Sequence, residues 1–178
     1  MNIGIDFDNV IVDETEVYFT YAQKYTIETL KKEPIIIDRG DITHACYCTD
    51  LHNWTQDEED DFWEKYAFEI MKQLKLKTMA KEIIEKLRHD GHRIIIITAR
   101  SEVEAEYMYE TIEKTGLKVD NTLINAKEKG IIAKENNIDV FIDDSYNNCK
   151  KTADLGIKTY IMDCRTNRDI KDDNIERV

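Results

Sequence analysis

Short apolar runs rich in Ile and Val alternate with stretches of helical periodicity along most of this chain. The runs at about residues 2–6, 93–97, 121–124, 138–142 and 158–162 are each of strand length, and their near-continuous hydrophobicity suits strands covered on both faces. The segments between them are amphipathic. Ile83, Ile84 and Leu87 mark one face of a helix from Thr78 to Asp90 that Gly91 stops, Ser101 with Glu104 forms a capping box that starts the next helix, and Gly116 ends that one. This rhythm predicts βα units on a parallel sheet: an α/β fold with a three-layer α/β/α, Rossmann-like core.

Residues 14–75 break the rhythm and read as an inserted helical subdomain. Val17, Tyr18, Tyr21, Tyr25 and Leu30 place one helix over 14–31; Phe62, Trp63, Tyr66, Ile70, Met71 and Leu74 place another over 57–75, with a Thr55/Glu58 capping box ahead of it. Pro34, the sole proline, and Gly40 fall in the connection between them. The expected organisation is a core from residues 1–13 and 76–168, an insertion over 14–75, and a C-terminal tail, 169–178, with the polar stretch after Asp163 lying as a surface loop or frayed end. A length of 178 residues suits one core carrying one insertion.

A formal charge of −12 argues against binding a nucleic-acid polymer or an anionic membrane, since both need clustered Lys and Arg. A small anionic substrate remains compatible where the site is locally cationic. No apolar run approaches the roughly 20 residues that span a bilayer, and the first residues lack a signal-peptide layout, so a cytoplasmic protein is expected. Cys46, Cys48, Cys149 and Cys164 then read as reduced thiols. The sequence leaves the oligomeric state open.

The polar residues with chemical potential fall where predicted strands end, which is where open α/β sheets place ligands. The first strand runs into Asp6-Phe7-Asp8, two carboxylates on the same side of an extended chain. The strand at 93–97 runs into Thr98-Ala99-Arg100, a hydroxyl and backbone N–H groups near a helix start, suited to phosphate oxygens. Lys129 is placed to neutralise a transferring phosphoryl group, with Lys127 as the alternative two residues away. The strand at 138–142 ends in Asp143-Asp144, hard oxygen ligands suited to Mg2+.

Asp6-Phe7-Asp8-Asn9-Val10, Ile97-Thr98-Ala99-Arg100, Lys129 and Ile142-Asp143-Asp144-Ser145 resemble the four ordered motifs of the haloacid dehalogenase superfamily. The stretch from Ile138 to Ser145 with Lys129 upstream is most similar to the C-type 5′-nucleotidase branch, which includes 5′(3′)-deoxyribonucleotidases; there, an insertion after the first motif is a helical C1 cap. The resemblance implies a Mg2+-dependent phosphomonoesterase acting on a small phosphorylated substrate, a nucleoside monophosphate foremost. It implies that Asp6 attacks phosphorus to form an aspartyl-phosphate and that Asp8 handles the proton. It further implies that Mg2+ is held by Asp6, the Asp8 carbonyl and Asp143 with Asp144 in support, and that Thr98, the Ala99 backbone and Lys129 bind phosphoryl oxygens. Asn9 stands where many relatives have glycine, and Asn tolerates the left-handed turn expected there.

Other readings stand beside this one. The site also fits a phosphatase for a non-nucleotide phosphoester or phosphosugar, and a fold kept for binding without catalysis. A signalling receiver domain also combines acids, a threonine and a lysine around Mg2+, but in the reverse order and without an insertion. Arg100 reads as a structural ion-pair partner, and the run Asp57–Asp61 as favourable charge at a helix N-terminus. His44, Cys46, Cys48 and His52 raise the question of a metal site in the insertion, although alternate residues on one strand converge poorly on a tetrahedral ion. Trp54 and Trp63 are candidates for stacking a base, against the alternative of core packing.

Overall fold

The computed structural model describes residues 1–34, 52–164 and 167–178. Eight strands and six helices follow in the order β1 (Asn2–Ile5), β2 (Val12–Asp13), α1 (Thr15–Glu28), α2 (Gln56–Gln73), β3 (Lys75–Leu76), α3 (Ala80–His89), β4 (Arg93–Ile97), α4 (Glu102–Thr115), β5 (Asn121–Leu123), α5 (Lys129–Glu135), β6 (Val140–Asp143), α6 (Tyr146–Asp154), β7 (Lys158–Ile161) and β8 (Ile175–Arg177) among the described residues. Six strands form one sheet in the order β5-β4-β1-β6-β7-β8, parallel throughout. β1 is central, and the chain crosses first to one side of it and then to the other.

The Ile-rich runs are buried because the sheet has helices on both faces. Successive side chains point to opposite faces. Ile94 and Ile96 of β4 therefore join Ile3, Ile5, Ile84, Ala105 and Met108 in one core, while Ile95 and Ile97 join Ala133, Ile138 and Phe141 in the other. Each such isoleucine contributes about 1.5–3 kcal/mol by burial. Gly4 faces the second core, where a β-carbon would come within 2.9 Å of Ile97 Cδ1, so a larger residue there would displace the central strand.

Both expected capping boxes are present, at Thr55/Glu58 and Ser101/Glu104, and Gly116 ends α4 in the left-handed region at φ 65°. Three expectations are corrected. Ile83 is 53 % exposed, because the buried face of α3 runs through Ile84 and Leu87 and Ile83 is rotated off it. Thr78 lies outside α3, whose N-cap Met79 takes a left-handed φ of 68°. The tail is no frayed end: Ile175–Arg177 adds β8 as a parallel strand on β7.

The helical insertion leaves the core after β2 and returns through β3. These strands pair antiparallel, Val12 with Leu76 and Asp13 with Lys75, so the two connections are fastened to each other. Within the insertion, α1 and α2 bury Tyr25, Phe62, Tyr66 and Ile70.

Candidate active site

Asp6 is the first residue beyond β1. Its N–H still donates to Ile142 O of the neighbouring strand at 2.9 Å, so it leaves the sheet in strand direction, only 4 % exposed. The Phe7 N–H donates to Asp6 Oδ1 at 2.8 Å and orients the carboxylate. Asp143 ends β6, the strand beside it, and is fully buried. The Ser145 N–H donates to Asp143 Oδ1 at 2.8 Å, and Asn148 Nδ2 to both carboxylate oxygens at 3.3 and 3.2 Å.

Lys129, the first residue of α5, bridges these acids: its buried Nζ lies 2.7 Å from Asp6 Oδ1 and 2.9 Å from Asp143 Oδ2. Lys127 is exposed, so of the two lysines left open by the sequence it is Lys129 that reaches the acids. Burial, then the charge of Asp143, holds the Asp6 pKa well above the carboxylate range against the opposing pull of Lys129. Burial and Asp143 likewise push Asp144 up to about 6. For Lys129 burial alone would lower the pKa, but Asp6 and Asp143 outweigh it and stabilise the ammonium. Removing one member of so buried a network strands a charge, a cost of about 3–5 kcal/mol.

Carboxylate oxygens of Asp6, Asp143 and Asp144 all lie within 4.8 Å of one another. One ammonium faces three carboxylates in this cluster, and after burial it is the repulsion from Asp143 that raises the Asp6 and Asp144 pKa values. Hard oxygen donors with uncompensated charge fit Mg2+, which takes one or two carboxylates together with water and phosphate oxygens.

Asp8 sits in the loop after β1, part exposed, and is gripped by Arg100, whose Nε donates to Oδ2 at 2.9 Å and Nη2 to Oδ1 at 2.5 Å. The Arg100 guanidinium is buried over Phe7, 5.2 Å from the ring centroid; burial lowers its pKa, and the bond to and charge of Asp8, together with Glu14 and Glu104, raise it above the usual value. The turn that delivers it is fixed by Thr98, whose Oγ1 accepts from the Arg100 N–H at 3.3 Å, whose N–H donates to Leu123 O at 3.0 Å, and whose carbonyl accepts from Ala126 N at 2.9 Å. Thr98 is buried and Ala99 is exposed.

Asn9 takes the left-handed conformation at φ 56°. Its Oδ1 also accepts from Thr15 Oγ1 at 2.9 Å and from the Thr15 and Glu14 N–H groups at 3.2 and 3.3 Å. The loop that carries Asp8 thus caps α1, and the insertion begins against it. Glu14, at that junction, is raised to about 8 by burial and by the charge of Asp8. Neither Glu14, Asn148 nor the cap made by Asn9 was expected from the sequence, which shows the residue types but no signal of their partners.

The insertion's tryptophans part company. Trp54 is 5 % exposed, donates Nε1–H to Thr26 Oγ1 at 3.2 Å, stacks on His52 at 4.6 Å and touches Tyr25 and Phe62, each at 5.1 Å. Its ring is taken up by core packing, the second of the two readings that the sequence left open for it. Trp63 is partly buried and stacks on Tyr18 at 5.8 Å and 22°, one turn into the helix that Asn9 caps. Of the four-residue metal question in the insertion, His44, Cys46 and Cys48 lie outside the described residues. His52 packs among aromatic rings, and burial lowers its pKa to about 4.

No family model matches the chain. It is 27 % identical to a nucleotidase of Clostridium acetobutylicum over 99 % of this chain and 88 % of that protein. It is 28 % identical, over the whole of this chain and 88 % of the other, to the Bacillus subtilis protein YqfW, which carries nucleotidase as a provisional name. Among solved structures, a haloacid dehalogenase-like family hydrolase from Streptococcus pneumoniae superposes with a TM-score of 0.66 at 14 % identity, covering 91 % of this chain and 84 % of that one.

Proposed function

We infer that this chain, a hydrolase of the haloacid dehalogenase superfamily, is a Mg2+-dependent phosphomonoesterase that works through an aspartyl-phosphate on Asp6. The observation that carries this reading is the convergence of Asp6, Asp143 and Asp144 within 4.8 Å at the carboxyl ends of adjacent parallel strands, with Lys129 bridging the first two.

In the proposed reaction an Asp6 carboxylate oxygen attacks phosphorus as the bond to the leaving oxygen breaks, and Asp8 gives its proton to that oxygen. Asp8 then takes a proton from a water whose oxygen attacks the same phosphorus; the bond to Asp6 breaks, and inorganic phosphate and the free carboxylate result. Thr98 Oγ1, the Ala99 N–H and the Lys129 ammonium hold the phosphoryl oxygens. Arg100 keeps Asp8 aimed through both steps. Mg2+, held by Asp6, the Asp8 carbonyl and Asp143 with Asp144 in support, would neutralise the charge on the phosphoryl group and the crowded carboxylates.

For the leaving group, the reading is a nucleoside monophosphate. The names of the two relatives support it, as does the Tyr18–Trp63 pair, an aromatic surface beside the helix end that abuts the Asp8 loop. A screen of phosphate monoesters with Mg2+ tests it. Nucleoside monophosphates should give the highest kcat/KM, and Asp6→Asn should be inactive on every ester. A preference for sugar phosphates would replace the nucleotide, and activity retained in Asp6→Asn would remove the nucleophile.

A further inference from the structure

The segment after β7 lies beyond the motif-bearing part of the chain, yet it is tied to the loop that carries Asp143 and Asp144. Its centre is Asn167, 2 % exposed and among the largest fully buried side chains. Asn167 Nδ2 donates to Asp144 O at 2.8 Å and to Met162 O at 2.8 Å, and it contacts Cys164 Sγ at 2.9 Å. Asn167 Oδ1 accepts from the Cys164 N–H at 3.3 Å and from Arg177 Nη1. Every polar atom of this side chain is therefore engaged, and one of its bonds ends on the backbone of an acid in the site.

Arg177, in β8, holds Asn167 in place. Its Nη2 donates to Asn167 O at 2.8 Å and Ile170 O at 2.9 Å, and its Nη1 to Asp163 Oδ1 at 3.1 Å. A second tie reaches the far side of the same loop, where Tyr146 Oη donates to Asp172 Oδ2 at 3.0 Å. The loop 143–146 is thus bracketed by the tail at Asp144 and at Tyr146. A buried amide with both carbonyl acceptors satisfied has one low-energy orientation, because turning it over would set its oxygen against two carbonyl oxygens.

We propose that Asn167 is a positioning residue for the cation site: by anchoring the Asp144 carbonyl it sets where the Asp143–Asp144 carboxylates stand, so the C-terminal segment is part of the site's architecture. This rests on the reading of those acids as Mg2+ ligands. Ligand placement within about half an ångström matters for a small octahedral ion, and loss of an outer support typically costs 10–100-fold in metal affinity.

The test is calorimetric titration of the metal-free full chain with Mg2+, without substrate, for wild type, Asn167→Ala, Asn167→Asp and Leu117→Ala. Leu117, 4 % exposed and packed in the core cluster, serves as a destabilising control outside the loop. Asn167→Ala and Asn167→Asp should both weaken Mg2+ binding about tenfold or more, the aspartate failing to rescue because it lacks the two N–H donors, while Leu117→Ala lowers the melting temperature and leaves the Mg2+ Kd unchanged. Wild-type binding with an unaltered Kd in both Asn167 variants overturns the proposal alone, as does an equal loss in Leu117→Ala. No Mg2+ binding by wild type removes the metal reading and the proposal with it. If Asn167→Ala does not fold, Asn167→Asp, nearly isosteric, carries the comparison.

Discussion

Arg100 and Asp8, 92 residues apart in sequence, meet in a two-pronged ion pair with donor–acceptor distances of 2.9 and 2.5 Å. Such fork-to-carboxylate pairing fixes the orientation of both planes, which one ammonium cannot do. Arg100→Lys should therefore keep the charge and lose the aim. The loss should grow with the leaving group's need for a proton: kcat on an alkyl phosphate should fall about 10–100-fold, and kcat on p-nitrophenyl phosphate, whose leaving group departs as a stable anion, much less. Equal losses on both substrates would show that Arg100 acts on the fold or on phosphate binding instead of through Asp8.

The crowded carboxylates predict a stability profile that metal reverses. Asp144 ionises at about 6 in the folded chain against 3.8 unfolded, Glu14 at about 8 against 4.5, and Asp6 is raised in the same direction. Across that window the native state binds more protons than the unfolded state, so without divalent metal stability should fall as pH rises from about 4 to about 8. On the proposed reading Mg2+ takes the place of those protons at the aspartates. The Mg2+-induced rise in melting temperature should thus be larger at pH 7.5 than at pH 5, a comparison that thermal unfolding in EDTA and in Mg2+ makes directly. A shift of the same size at both pH values would place Mg2+ away from these acids.

The two tryptophans should respond differently to truncation. Trp54→Ala opens a cavity in the insertion's core and should destabilise by about 3–5 kcal/mol, with nucleotide and aryl phosphate activity falling together. Trp63→Ala leaves Tyr18 unstacked, and on the proposed reading it should raise KM for nucleoside monophosphates more than for p-nitrophenyl phosphate. Chemical denaturation and paired KM values separate these cases; an unchanged ratio in Trp63→Ala would assign that ring to packing as well.

The loop–helix junction offers a further check. Asn9→Gly keeps the left-handed turn and removes the oxygen that caps α1, so it should cost about 0.5–2 kcal/mol of stability. Asn9→Ala adds strain at φ 56° to that loss and should be the worse of the two. The reverse order would mean that the turn at residue 9 is not held left-handed.

The strands from Ile94 to Ile97 and around Phe141 were legible because burial on both faces writes a continuous apolar run, and the capping boxes because their partners lie three residues apart. β8 was not legible. Of Ile175, Glu176 and Arg177 only the isoleucine is buried, so an edge strand on the sheet carries almost no pattern. The same limit separates the two shells of the site. Asp6, Lys129, Asp143 and Asp144 announce themselves by standing at strand and helix ends in order, whereas the Arg100–Asp8 grip, the Asn148 amide on Asp143 and the Asn167 anchor under Asp144 depend on distances that only the folded chain supplies.

The central claim is covalent phosphorylation of Asp6, and borohydride trapping tests it most directly. An acyl phosphate is reduced to the alcohol, so quenching wild-type enzyme during turnover with borohydride should convert residue 6 to homoserine, detected by peptide mass spectrometry, with no conversion when substrate is omitted. Active enzyme that yields no homoserine, or yields it at Asp8, Asp143 or Asp144 instead, would contradict the account.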